Sequence, residues 1–176
     1  MRLLYVICEG DDDERFFQQI LRPRMPEYDD VRYFQYGQVP HEGVRNLLHS
    51  IHGMRQSGID ADYVFLRDFD QAPCKESRLD EIQRQYNELV EEDRTYLVVQ
   101  MIESWYVAGL ANQHFISEFG VAPPQTNDFV KRDFENLLDE DAVRTEVLQE
   151  ILSSFSVERA RHKNLSFDYF CTNVLD

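Results

Sequence analysis

The sequence predicts an α/β fold: a central parallel sheet of about four strands with helices on both faces, followed by a helical carboxy-terminal appendage. Three observations predict it. Short apolar runs alternate four times with segments of helical period. The first and third runs are apolar throughout, as expected of strands buried on both faces of a parallel sheet. After Asn112 the strand-like runs stop while the helical periods continue.

Residues 3–8 form the first strand. Phe16, Phe17, Ile20 and Leu21 then fall on one face of a helix that Pro23 ends. Residues 31–36 alternate as a second strand, and Val44, Leu47, Leu48 and Ile51 trace a helix running up to Gly58. Residues 63–66 are the third strand, before a helix carrying Leu79, Ile82, Tyr86, Leu89 and Val90. Residues 95–99 are the fourth, before Ile102, Trp105, Tyr106 and Leu110 at helical spacing. Repeated strand-helix units need crossover connections, which are right-handed, and so give a parallel sheet. Ala122, Pro123 and Pro124 make a loop. Beyond it Val130, Phe134, Leu137 and Leu138, then Val147, Leu148, Ile151 and Leu152, have helical periods. No linker splits the chain, which reads as one domain with an α/β core over residues 1–111 and a helical extension over 112–176.

Composition bounds the function. With 176 residues, 43% hydrophobic and 12% aromatic, the chain has the apolar material that disordered acidic chains lack. No run approaches the roughly 18 uncharged apolar residues of a membrane span, and charge arrives at Glu9, so the expectation is a cytoplasmic protein with no leader and no membrane partner. Cys8, Cys74 and Cys171 are odd in number and widely spaced, which indicates neither a disulfide framework nor a cysteine metal site; Cys8 and Cys171 read as core. A formal charge of −15 argues against a broad basic surface, so a polyanionic substrate would need metal ions or a basic partner to approach. His49 and His52 share a helix face without a third partner and read as surface, while Trp105 and Tyr106 read as core. No phosphate loop, dinucleotide fingerprint or nucleophile elbow is present.

Ligand sites of open parallel sheets lie at the carboxyl ends of the strands, where strand order reverses. Three acidic features fall there. Five of the six residues from Glu9 to Glu14 are acids. Asp11 and Glu14 have capping-box spacing, and Asp12 and Asp13 suit the positive end of a helix, which accounts for the acids after Gly10 but not for Glu9. Gly10 itself suits a tight strand-to-helix turn with room for a bound group. Asp68 and Asp70 end the third strand two residues apart, so both carboxylates point to one side and can reach one ion, although an Asp before Pro73 also suits a turn. Glu103 follows the fourth strand, where it suits the first turn of a helix or an additional ligand. Carboxylates on adjacent strand ends suit Mg²⁺ or Mn²⁺, which can activate water and stabilise a leaving oxygen. No lysine lies beside these acids, and Arg67, adjacent on the strand, is expected on period-two grounds to face away from them.

Glu9-Gly10 after the first strand, Asp68-Phe69-Asp70 after the third, and the repeated strand-helix units resemble the Toprim fold of topoisomerases, primases and OLD-type nucleases. The segments CEGDDDERFF, RDFDQAPC, QMIESW and ARHKNLSFDYF, taken in order, are similar to a bacterial Toprim-related family, domain of unknown function 4276. The resemblance spans most of the chain. It implies a metal-binding or acid/base role for Glu9, Mg²⁺ binding by Asp68 and Asp70, and an ATPase partner of the AAA or ABC kind, as in phage-defence systems. The family's usual Thr-Glu after the glycine is Asp12-Asp13 here, and Val before the glutamate is Cys8.

Two functions follow as expectations. One is a metal-dependent nuclease in which Glu9, Asp68 and Asp70 hold Mg²⁺ or Mn²⁺ and Glu9 or Glu103 assists proton transfer on DNA or RNA. The other is a non-catalytic subunit that binds and regulates an ATPase through its helical half, its acidity fitting a basic partner. Self-association is compatible with either. A receiver domain or a nucleotide binder is a weaker reading, since both use acids at strand ends; a receiver also needs a lysine at a later strand end, and Val99-Gln100 offers none.

Overall fold

The computed structural model describes residues 1–69, 72–86, 89–121, 123–138 and 142–176, and the chain divides into two compact units, Met1–Leu97 and Val98–Asp176. The first is built on an all-parallel sheet of four described strands, β1 (Leu3–Cys8), β2 (Asp30–Gln35), β3 (Ala61–Asp68) and β4 (Thr95–Val98), in the order β2-β1-β3-β4. β1 and β3 are central, and β1 is buried at all six positions. Each fully buried Leu, Val or Ile there contributes about 1.5–3 kcal/mol relative to exposure. The edge strand β2 is only partly buried, which is why it alternates in sequence while β1 does not.

Register fixes the faces. Ile7 pairs with Phe34 and Phe65, and Val6 with Tyr33 and Val64. Leu3, Tyr5, Ile7, Ala61, Tyr63 and Phe65 therefore share one face, packed with Val44, Leu48 and Ile51 of α2 (His41–Gln56), Ile82 of α3 (Lys75–Gln85), and Tyr86 and Val90 beyond it. On the other face Phe17 meets Tyr33 edge-on at 6.0 Å, so the first helical segment covers that side. That segment is α1 (Asp11–Phe16), continued by a π turn at Phe17–Leu21 and a 3₁₀ turn at Arg22–Arg24. Pro23 lies inside the last turn rather than past the end: it opens that turn, where its missing N–H leaves no bond unmade.

At the amino end of β3, Asp62 accepts from Arg55 at 2.6 Å, Arg94 at 3.0 Å and the Tyr63 amide at 2.8 Å. Arg55 also pairs with Glu91 at 2.8 Å. His52 faces this network, with Nε2 3.8 Å from Glu91, so it is half-buried while His49 is exposed.

The second unit is helical: α4 (Ile102–Ala108), α5 (Asn112–Phe119), α6 (Lys131–Glu135), α7 (Arg144–Ser153), α8 (Val157–Lys163) and α9 (Leu165–Val174). It begins at Val98, so α4 groups with the later helices. The reason is Trp105, fully buried against Phe167 at 5.1 Å and Phe170 at 5.5 Å. Ser166 ties the same elements together, accepting from the Trp105 indole at 2.8 Å and the Val99 amide at 3.0 Å and donating to Asn164 at 2.8 Å. Asn164 in turn caps α9 through the Phe167 amide and donates to Ser104. The ARHKNLSFDYF segment thus has a structural task within its unit. Among the described residues, no helix is long and apolar enough to cross a membrane.

Candidate functional site at the carboxyl ends of the central strands

Strand order runs from β1 outward to β2, then returns across β1 to β3. The carboxyl ends of β1 and β3 therefore flank the position where the order reverses. Glu9 immediately follows β1, and Asp68 is the last residue of β3. Asp70 lies outside the described residues. Glu103 belongs to the second unit, where it is buried in the first turn of α4 and ion-paired with Arg144 of α7, whose guanidinium lies 5.0 Å from the Phe134 ring. Among the described residues, no group of three or more His, Cys, Asp or Glu side chains is arranged to hold a metal ion.

Glu9 is exposed and is positioned by its backbone. Its carbonyl accepts from the Gly37 amide at 3.0 Å, which draws the loop after β2 against the end of β1. A Cβ on Gly37 would sit 2.5 Å from that carbonyl oxygen, so only glycine permits the approach. Gly10 carries no such constraint: its φ of −159° is ordinary extended backbone, and an added Cβ would meet nothing within 4 Å. The glycine that shapes this end of the sheet is Gly37.

The acids after Gly10 divide differently from the sequence expectation. Gly10 is the N-cap of α1, and Asp13 reaches back to its amide at 3.2 Å, so the reciprocal contact falls to Asp13 and not to Glu14. Asp11 and Glu14 instead accept from the Gln35 side chain at 2.8 and 2.7 Å, fastening α1 to the end of β2, and Asp12 pairs with Arg15. Asp13 is buried. Burial pushes its carboxyl up to about 7, opposed by the Gly10 amide and reinforced by the charge of Glu9. The Cys8 thiol is also pushed up, by burial and then by Asp13, Glu14 and Asp11, so it is an inert core group, as expected.

Tyr36 escaped the sequence reading, and Arg67 was expected to take no part in the site. Tyr36 is buried, stacks on Phe65 at 5.5 Å with rings 6° from parallel, and directs its hydroxyl to the Glu9 carboxylate at 3.5 Å. Burial raises its pKa, with Glu9 adding to the effect and Arg67 opposing it. The Arg67 guanidinium lies 5.3 Å from the Tyr36 ring. Burial alone would lower the pKa of Arg67; Tyr36 and then Glu9 reverse the direction. The expectation that Arg67 faces away from the acids is corrected here: the β1–β3 register places it on the side of Glu9 and Tyr36. The carboxyl end of β1 and β3 thus carries a mixed cluster, Glu9, Asp13, Tyr36 and Arg67, with Asp68 next to Arg67 in the chain as the last residue of β3. No family model, curated protein or solved structure matches this chain.

Proposed function

We propose that the chain is a Toprim-like, metal-dependent phosphodiester hydrolase acting on DNA or RNA, with its active site at the carboxyl ends of β1 and β3. The observation that carries the proposal is the position of Glu9 and Asp68 at neighbouring central strand ends, on either side of the point where strand order reverses. The donor set fits Mg²⁺ or Mn²⁺ chemically, since both groups are hard carboxylates and such ions bind through one or two carboxylates with water completing the shell. Glu9 and Asp68 would hold the ion, with Asp70 as a third ligand. A bound ion supplies Lewis acidity and lowers the pKa of a water that can attack phosphorus.

The chain's own groups prepare that site. The Tyr36 hydroxyl orients the Glu9 carboxylate, and the Gly37 amide fixes the backbone beneath it. Asp13, titrating near neutrality, keeps its proton below that point and so removes one negative charge beside Glu9, which favours approach of a polyanion. Glu103 is given the task of holding α7 through Arg144. The test is cleavage of labelled single- and double-stranded DNA and RNA with Mg²⁺ or Mn²⁺. Glu9→Ala and Asp68→Ala should each reduce cleavage by at least about a hundredfold while circular dichroism stays unchanged. Undiminished cleavage in both folded variants rejects the assignment.

A second reading, an ATPase-binding subunit, is favoured by Leu165 and Tyr169, exposed at 73% and 52% one turn apart on α9. Co-elution with a AAA- or ABC-type ATPase that Leu165→Asp abolishes, without activity on any nucleic acid, would select it.

A further inference from the structure

Arg67 is an arginine at the end of a central strand. It is half-buried at the end of β3, one residue before Asp68, with its guanidinium against the ring of Tyr36 and within the electrostatic reach of Tyr86. Tyr36, Phe65 and Tyr86 form a continuous aromatic floor, with the second pair of centroids 5.4 Å apart. Yet the Nε–H is buried and meets no acceptor among the described residues, and no described carboxylate is in ion-pair contact with the guanidinium. Arg55 at the opposite end of the sheet shows the contrast, because its guanidinium is paired with both Asp62 and Glu91.

A guanidinium held over the Tyr36 ring, partly stripped of water and with an Nε–H that meets no acceptor among the described residues, is arranged to receive a fork of two oxygens. A buried donor without a partner also costs about 1–3 kcal/mol, and an incoming anion would remove that cost. We infer that Arg67 is the anion-binding residue of the site, donating to the non-bridging oxygens of a phosphate group beside Glu9. This rests on the hydrolase reading for its substrate, a phosphodiester, but the phosphate contact itself stands on the geometry of Tyr36, Glu9 and Arg67. It also provides the cation that a chain of net charge −15 needs at the point of contact with a polyanion.

The experiment is a titration of the full chain with inorganic phosphate in the presence of Mg²⁺, followed by nitrogen-15 spectra of the arginine Nε–H groups and the Gly37 amide. Arg67→Lys identifies the Arg67 resonance by its loss. The expected result is a saturable shift of Arg67 Nε–H and of Gly37, with Arg55 and Arg161 unmoved. The Gly37 shift should need at least about tenfold more phosphate in Arg67→Lys and Arg67→Gln. A stationary Arg67 resonance throughout, or equal phosphate dependence of Gly37 in all three proteins, overturns the inference. The two failures separate cleanly. Glu9-dependent cleavage with a silent Arg67 removes only the anion role, whereas a phosphate-responsive Arg67 without any cleavage removes only the hydrolase reading.

Discussion

The buried carboxyl of Asp13 makes the most quantitative prediction. Its pKa is about 7 in the fold against 3.8 for an unperturbed aspartate. Between those values the folded chain holds a proton at this site that the unfolded chain has released. Stability therefore falls as pH rises through that window and levels off above it. About three pH units at 1.36 kcal/mol each give about 4 kcal/mol. Asp13→Asn keeps an acceptor for the Gly10 amide but cannot ionise. It should match the native chain near pH about 4 and exceed its stability by up to about 4 kcal/mol at pH about 8. Urea denaturation of both proteins in a metal chelator measures this, since every other titrating group cancels in the difference. A difference that does not change with pH, or that favours the native chain as pH rises, refutes the account of Asp13.

Three further substitutions probe the same framework. Gly37→Ala places a Cβ 2.5 Å from the Glu9 carbonyl, so it should shift the Glu9 amide resonance and cost about 1–3 kcal/mol, whereas Gly10→Ala should cost under about 1 kcal/mol; equal costs by thermal unfolding would contradict the assignment of the critical glycine. Asp62→Ala removes the acceptor that Arg55 and Arg94 share at the amino end of β3, leaving Arg55 paired with Glu91, and should lower stability by about 2–3 kcal/mol, measured by urea denaturation; an unchanged stability would contradict the role given to Asp62. Ser166→Ala leaves the Trp105 indole and Val99 amide without their acceptor, which should cost about 2–4 kcal/mol and alter the tryptophan fluorescence; an unchanged spectrum would show that the network is not intact in solution.

The sheet was legible because its central strands carry the signal of double burial. Residues 3–8 are apolar at every position and are buried at every position, and the strand-helix alternation correctly implied parallel pairing. Helix boundaries were less legible. Pro23 does not mark the end of an α-helix here, because α1 has already passed into a π turn and Pro23 itself lies inside the 3₁₀ turn that follows. The helices α8 and α9 were not distinguished, since Asn164 and Ser166 are polar residues buried by each other's hydrogen bonds and interrupt any apolar period.

The candidate site was legible in part. Glu9 and Asp68 could be placed at strand ends from the sequence alone. The capping acid could not, because Asp11-Glu14 and Gly10-Asp13 have the same spacing and the choice depends on where the first turn begins. Arg67 was hidden for a different reason. Alternation gives its side relative to Asp68, but its meeting with Glu9 and Tyr36 depends on the pairing of Ile7 with Phe65, a long-range register that one sequence does not encode visibly. Gly37 left one weak signal, a glycine soon after the second strand, which a close backbone approach explains only once Glu9 is its neighbour.

A crystal soaked in Mn²⁺ tests the central proposal most directly, through the position of the anomalous scattering peak. The account predicts one dominant peak with Glu9 and Asp68 carboxylate oxygens in its coordination shell. Saturating Mn²⁺ that leaves these two carboxylates without an ion between them, or that binds only elsewhere on the chain, would contradict it.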